Sequence, residues 1–191
     1  MIRSRSPRTW LVGVASLAVL AACGAPTSTG GAATAPTTVV STTSVAETTA
    51  SGAAREVPEK LRFSAKTVDG AQFSGESLAG KPAVLWFWAP WCPKCQREAP
   101  GIASSAKDNA SVTFLGVAAL DKEPAMRDFV QRFQLGGFTH LADVDSEVWK
   151  RFGVTAQPAY AFIGRDGAID VVTKQLTEQE LRERVAALAV P

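Results

Sequence analysis

The stretch Ala83-Val84-Leu85-Trp86-Phe87-Trp88-Ala89-Pro90-Trp91-Cys92-Pro93-Lys94-Cys95 limits what this chain can fold into. Its first half is an unbroken apolar run of aromatic and β-branched residues, the pattern of a strand buried on both faces of a sheet. Such a strand needs cover on both sides, and the element order that the rest of the chain gives, β-β, β-α-β-α, then β-β-α, makes an α/β domain with a mixed sheet and helices on both faces. Gln96-Arg97-Glu98-Ala99 are good helix formers, so Cys92 and Cys95 fall at a strand-to-helix junction. At the N-cap, Cys92 would accept a backbone N–H from about Cys95 and meet the positive end of the helix. Pro93 would be the first helical residue, where its missing N–H costs nothing. Lys94 adds a positive charge nearby. Together these features favour a thiolate at Cys92, as a reactive cysteine requires, and the spacing sets Cys95 one turn above it, within reach of an unstrained disulfide.

Two other chemistries use the same pair. Half of a zinc site would need two further ligands, and the remaining cysteine and the lone histidine are Cys23 and His140. A purely structural disulfide would close so short a loop that it constrains the unfolded chain very little. Redox exchange fits best. It needs no metal or cofactor, because the cysteine pair carries both electrons.

The run from Phe87 to Cys95 resembles the active-site stretch of the thioredoxin superfamily. Its continuation Gln96-Arg97-Glu98-Ala99-Pro100 is similar to the extracytoplasmic TlpA, ResA and DsbE-like branch, and most of all to the exported Dsb-type oxidoreductases of actinobacteria. The likeness covers roughly residues 58–191. It implies a thioredoxin fold with an N-terminal β-hairpin and an inserted helix–strand unit.

The chain before that domain has a different character. Arg3, Arg5 and Arg8 precede an apolar run from Trp10 to Leu20, too short for a membrane span, so residues 1–22 read as a secretory signal. Leu20-Ala21-Ala22-Cys23 resembles a bacterial lipobox, implying cleavage before Cys23 and a diacylglyceryl group on its sulfur. Lipidation also accounts for the odd cysteine among three. The rest of the segment 23–57 is Ala, Thr, Ser and Gly with scattered Pro and Val. It is expected to be a disordered tether spanning ~30 Å, holding the domain clear of a membrane. From residue 58 onward acidic and basic residues balance, no basic patch stands out, and nucleic acid is not an expected partner.

Within the domain, 61–65 and 71–74 flank Asp69-Gly70 as a hairpin. A helix runs from the cysteines to about Lys107, with Pro100 bending it. Residues 112–118 form a second buried strand. Pro124 opens a helix whose Met126, Phe129, Val130 and Phe133 share one face. Residues 139–142 are a short strand, and Ser146 to Phe152 a short helix stopped by Gly153. Residues 159–163 and 168–172 bracket Arg165-Asp166-Gly167 as a second hairpin. Thr177 and Glu180 make a capping box for the last helix. Trp86, Phe87 and Trp88 are expected in the core, Trp91 at the surface near the cysteines, and His140 in a structural role.

The resemblance assigns further roles. Gln157-Pro158 falls where thioredoxin-like proteins place a cis-proline facing the disulfide, and the Gln157 backbone would dock an extended client strand beside Trp91, Pro93 and Lys94. Glu98, one turn after Cys95, matches a functional glutamate of TlpA- and ResA-like proteins and would move a proton at Cys95. Trp86 stands where thioredoxin has a buried aspartate, a departure from the cytosolic type. The implied activity is an exported thiol–disulfide oxidoreductase, with Cys92 the exposed nucleophile and Cys95 the resolving thiol. It would sit on the outer face of the cell membrane, or be partly secreted. Its partners would be unfolded or cysteine-containing exported proteins and a membrane redox protein that resets the pair. A stabilised reduced form favours oxidation of clients. The alternatives are a reductase serving cytochrome c maturation and a tethered binding domain with an inert disulfide. No Pro-Thr-x-x-Cys peroxidatic motif is present.

Overall fold

The apolar run becomes the central strand β3 (Ala83–Trp88), every residue of which is buried. A computed structural model describes residues 56–190. The expected signal 1–22, the lipidation site Cys23 and the tether as far as residue 55 lie outside the described residues. Strand β3 pairs in parallel with β4 (Thr113–Ala118) and antiparallel with β6 (Ala159–Ile163). Strands β5 (Thr139–Ala142) and β7 (Ile169–Val172) complete a five-stranded sheet in the order β5-β4-β3-β6-β7. The strand pair β1 (Ser64–Lys66) and β2 (Gln72–Ser74) forms a separate antiparallel ribbon, joined to β5 through a bridge between Thr67 and Leu141.

Side chains alternate along β3 and so feed two cores. Val84, Trp86 and Trp88 face one, with Ala99 and Ile102 of α1 (Pro93–Asp108), Met126 and Phe129 of α2 (Glu123–Arg132), and Leu181 and Val185 of α4 (Glu178–Ala189). Leu85 and Phe87 face the other, with Val148, Trp149 and Phe152 of α3 (Glu147–Phe152). Helices therefore cover both faces, as the doubly buried strand requires. An aromatic wall runs through the first core: Trp86 stacks on Trp88 at 5.7 Å, Trp88 on Phe129 at 4.2 Å, and Phe129 tilts on Phe133 at 4.5 Å. Fully burying a side chain of this kind contributes about 1.5–3 kcal/mol.

Local expectations hold in most places and shift in a few. The Thr177–Glu180 capping box forms, and Gly153 closes α3 in the left-handed conformation at φ 74°. Helix α1 continues through Pro100 to Asp108. The first strand starts at Ser64 rather than Leu61, because Leu61 turns into a 3-10 segment (Glu59–Leu61) that buries its side chain in the second core. Helix α3 is not capped by the Ser146 side chain. Asp143 does that work from further upstream, accepting N–H bonds from Val148 at 3.1 Å and Trp149 at 2.9 Å. Burial raises the Asp143 carboxyl pKa, while those N–H groups oppose the shift.

His140, on β5, is buried with Nε2 3.0 Å from the Leu135 carbonyl and its ring edge-on to Trp88. Burial lowers its pKa to about 4, below an unfolded value near 6.5. The unfolded chain therefore binds the proton more readily, so stability present above pH ~6.5 is lost as pH falls towards ~4. Acidifying from about pH 7 to 4.5 should cost about 2 kcal/mol through His140 alone. Denaturant midpoints at both pH values should therefore draw closer together in His140→Leu. An unchanged gap would show that His140 does not govern this dependence.

Candidate active site

Strand β3 ends at Trp88, and the turn Ala89-Pro90-Trp91 delivers the chain to α1. The turn is held at both ends: Cys92 N–H donates to Ala89 O at 3.1 Å, and Gln96 Nε2 donates to Pro90 O at 3.1 Å. Cys92 is the N-cap of α1, and its Sγ accepts the Cys95 N–H at 3.2 Å. Pro93 occupies the first helical position. Negative charge on Cys92 Sγ is thus met by a hydrogen bond and by the positive helix end. Pro93 and Lys94 are exposed.

One expectation needs correcting. Cys92 is not an exposed residue: only 4 % of its surface is accessible. The N-cap geometry is the reason, since a sulfur that accepts from Cys95 N–H turns into the first turn of α1, among the residues of the first core. Cys92 therefore meets solvent only through a small opening. Cys95 is fully buried, and both cysteines are unbridged thiols. Burial pushes the Cys95 thiol pKa up, helped by neighbouring Cys92 and by the Glu98 charge.

Beside the opening stands Trp91, 54 % exposed, whose indole N–H donates to Leu120 O at 3.0 Å. Leu120 is itself an exposed large apolar residue and holds a left-handed backbone at φ 62°. Register places Pro158 at the same end of the sheet. Phe87 pairs with Ala159, so Pro158 enters β6 level with the exit of β3 towards Cys92. The Gln157–Pro158 bond is cis, Pro158 is buried and Gln157 is half-buried.

Glu98 projects from α1 one turn beyond Cys95. Its Oε2 accepts the Tyr160 hydroxyl at 2.6 Å. Burial raises the Glu98 carboxyl pKa, and the Tyr160 hydroxyl, the Trp86 indole, Gln175 and the Arg97 charge partly oppose the shift. Burial also raises the Tyr160 phenol, and the Glu98 charge adds to it. The structure thus gathers Trp91, Cys92, Pro93, Lys94, Cys95 and Glu98 around the N-terminal half of α1, with Gln157 and Pro158 at the adjoining sheet end. Cys23 lies outside the described residues. Sequence reasoning missed Tyr160 and Leu120. The available signal for Tyr160 was that the chain's single tyrosine sits in an apolar strand, where a buried hydroxyl must find a partner.

Comparison with known proteins agrees with this geometry. The AhpC/TSA family model matches residues 55–172. The soluble secreted antigen MPT53 of Mycobacterium tuberculosis is 47% identical over 133 residues, covering 68% of this chain and 76% of that protein. The structure of MTB DsbF, in mixed oxidised and reduced forms, superposes with a TM-score of 0.69 at 57% identity, covering 70% of this chain and 99% of that one. A secreted Mycobacterium tuberculosis disulfide oxidoreductase homologous to E. coli DsbE superposes with a TM-score of 0.66 at 46% identity, covering 69% and 100%. With a cysteine at the N-cap, a buried partner thiol and these relatives, the chain belongs to the AhpC/TSA family of the thioredoxin superfamily and is a thiol–disulfide oxidoreductase of the Dsb/ResA type.

Proposed function

We propose that this protein is exported, anchored through a lipid on Cys23, and oxidises cysteine-containing proteins as they fold outside the membrane. The segment 1–22 would be its signal, 23–57 its tether and 58–191 its catalytic domain. A client thiolate attacks Cys92 Sγ of the Cys92–Cys95 disulfide, and Cys95 leaves with the electron pair. Glu98 returns a proton to Cys95. A second client thiolate then attacks the client sulfur of the mixed disulfide and releases Cys92, whose sulfur takes its proton from solvent. The client leaves with a disulfide, and the protein holds both electrons and both protons as a dithiol until a membrane redox partner withdraws them. Pro158 would flank the reacting sulfurs, while Trp91, Pro93, Lys94 and the Gln157 backbone would receive the client chain.

The observation that carries this direction is the Cys95 N–H bond to Cys92 Sγ at the start of α1. It stabilises the reduced form, and a stabilised reduced form makes a stronger oxidant. Equilibration against glutathione tests it. A reduction potential between about −120 and −180 mV supports an oxidase, and one near about −270 mV or below supports the reductase of cytochrome c maturation instead.

A further inference from the structure

Proton traffic at Cys95 needs a group held in one orientation, and the buried end of Glu98 has an asymmetry that supplies it. Oε2 accepts the short bond from Tyr160, whereas Oε1 is sealed from solvent and accepts no well-formed hydrogen bond among the described residues, with the Trp86 indole and Gln175 close enough only to favour the charge. The indole N–H of Trp86 is likewise sealed and makes no well-formed hydrogen bond among the described residues, although it stands near the Glu98 carboxyl. Buried polar atoms are rarely left unpaired and each calls for an explanation; here the carboxyl lies one turn from a buried thiol that feels its charge, and proton exchange with that thiol is one. Glu98 and Tyr160 also line a cleft of about 140 Å³ between α1 and the segment 175–181, rimmed by Arg97, Gln175 and Glu178. Since ~10–15 Å³ suffices for one water, the cleft has room for water beside the carboxyl group.

We propose that Tyr160 is the positioning residue for proton transfer at Cys95: its hydroxyl fixes Glu98 through Oε2 and leaves Oε1 as the oxygen that exchanges a proton with Cys95 Sγ. This rests on the role given to Glu98 above. When Cys95 must act as nucleophile, its proton passes to Oε1, and the Cys95 thiolate attacks Cys92 Sγ in a mixed disulfide. The Cys92–Cys95 bond forms, the bond from Cys92 to the departing sulfur breaks, and that sulfur leaves as a thiolate with the electron pair. In the opposite direction Oε1 returns the proton to Cys95. The titratable and charged groups facing the carboxyl are Cys95 and Arg97 from α1, Tyr160 from β6 and Glu178 from α4, and the β3 and 175 neighbours, Trp86 and Gln175, are neutral.

The aromatic disulfide 5,5′-dithiobis(2-nitrobenzoate) separates the two sulfurs. Reduced protein releases one arylthiolate when Cys92 attacks and a second when Cys95 displaces the aryl group from Cys92. The rate of the second release should rise with pH as Glu98 ionises. Tyr160→Phe removes a bond that favours the carboxylate, so the midpoint of that rise should move up by about one to two pH units, while the profile of the first release stays put. Because Tyr160 is the only tyrosine, growth on 3-fluorotyrosine alters that hydroxyl alone. The more acidic phenol donates more strongly, and the midpoint should move down. A residue that merely packs predicts no movement with the fluorinated ring, and that variant decides the matter should Tyr160→Phe fail to fold. If Glu98→Gln abolishes the rise but neither change at Tyr160 moves it, the Tyr160 proposal is overturned and the role of Glu98 survives. If Glu98→Gln leaves the second release with the wild-type profile, the role of Glu98 is wrong and the proposal goes with it.

Discussion

Cys92→Ser should abolish both insulin reduction and the refolding of a reduced, scrambled client, while Cys95→Ala should keep the first chemical step and stall there. The distinction follows from placement. Cys92 caps α1 and keeps 4 % of its residue surface accessible, and Cys95 has no exposure at all, so Cys92 is the one placed to meet an incoming sulfur. A serine there retains the cap but cannot carry electrons, so turnover should drop to background. With Cys95→Ala the mixed disulfide on Cys92 has no internal thiol to resolve it, and clients should accumulate as covalent adducts visible on non-reducing gels. Adducts forming equally well on Cys95 in the Cys92→Ser protein would contradict the assignment of roles.

The second large effect is on stability. Gly116 lies on β4 directly beneath the imidazole of His140, its register partner on β5. A Cβ at Gly116 would run into Nδ1, Cε1 and Cγ of that ring. The ring has little room to swing aside, because Nε2 is bonded to Leu135 O and the ring packs edge-on with Trp88 and tilted against Phe138. Gly116→Ala should therefore cost about 3 kcal/mol or more and lower the melting temperature by about 10 °C. Adding His140→Ala empties the contested space, so the double variant should be more stable than the sum of the two single losses implies. Strictly additive losses would mean that the collision is relieved elsewhere.

How much of this was legible in the chain depends on distance along it. The N-cap sulfur, the first-position proline and the Thr177–Glu180 box are set within one helical turn, and local residue chemistry specifies them. Strand β3 was legible because burial on both faces leaves an unbroken apolar signature. The cis bond before Pro158 came from resemblance, since most prolines of that kind are trans. The Tyr160–Glu98 bond spans 62 residues and joins a strand to a helix, so no local pattern announces it. The same holds for Asp143, which caps α3 from across a turn, and for the close fit of Gly116 under His140. The burial of Cys92 was misjudged because spacing gives the sulfur's partner but not the packing that closes over both.

The central claim is that Cys92 and Cys95 trade a disulfide with a visiting polypeptide. The most direct measurement starts from both sides, mixing oxidised protein with a reduced two-cysteine peptide and reduced protein with the same peptide oxidised, then following both masses after acid quenching. The account predicts that hydrogens lost by one partner appear on the other, and that both mixtures converge on one ratio. Two mixtures that keep their starting masses would contradict it.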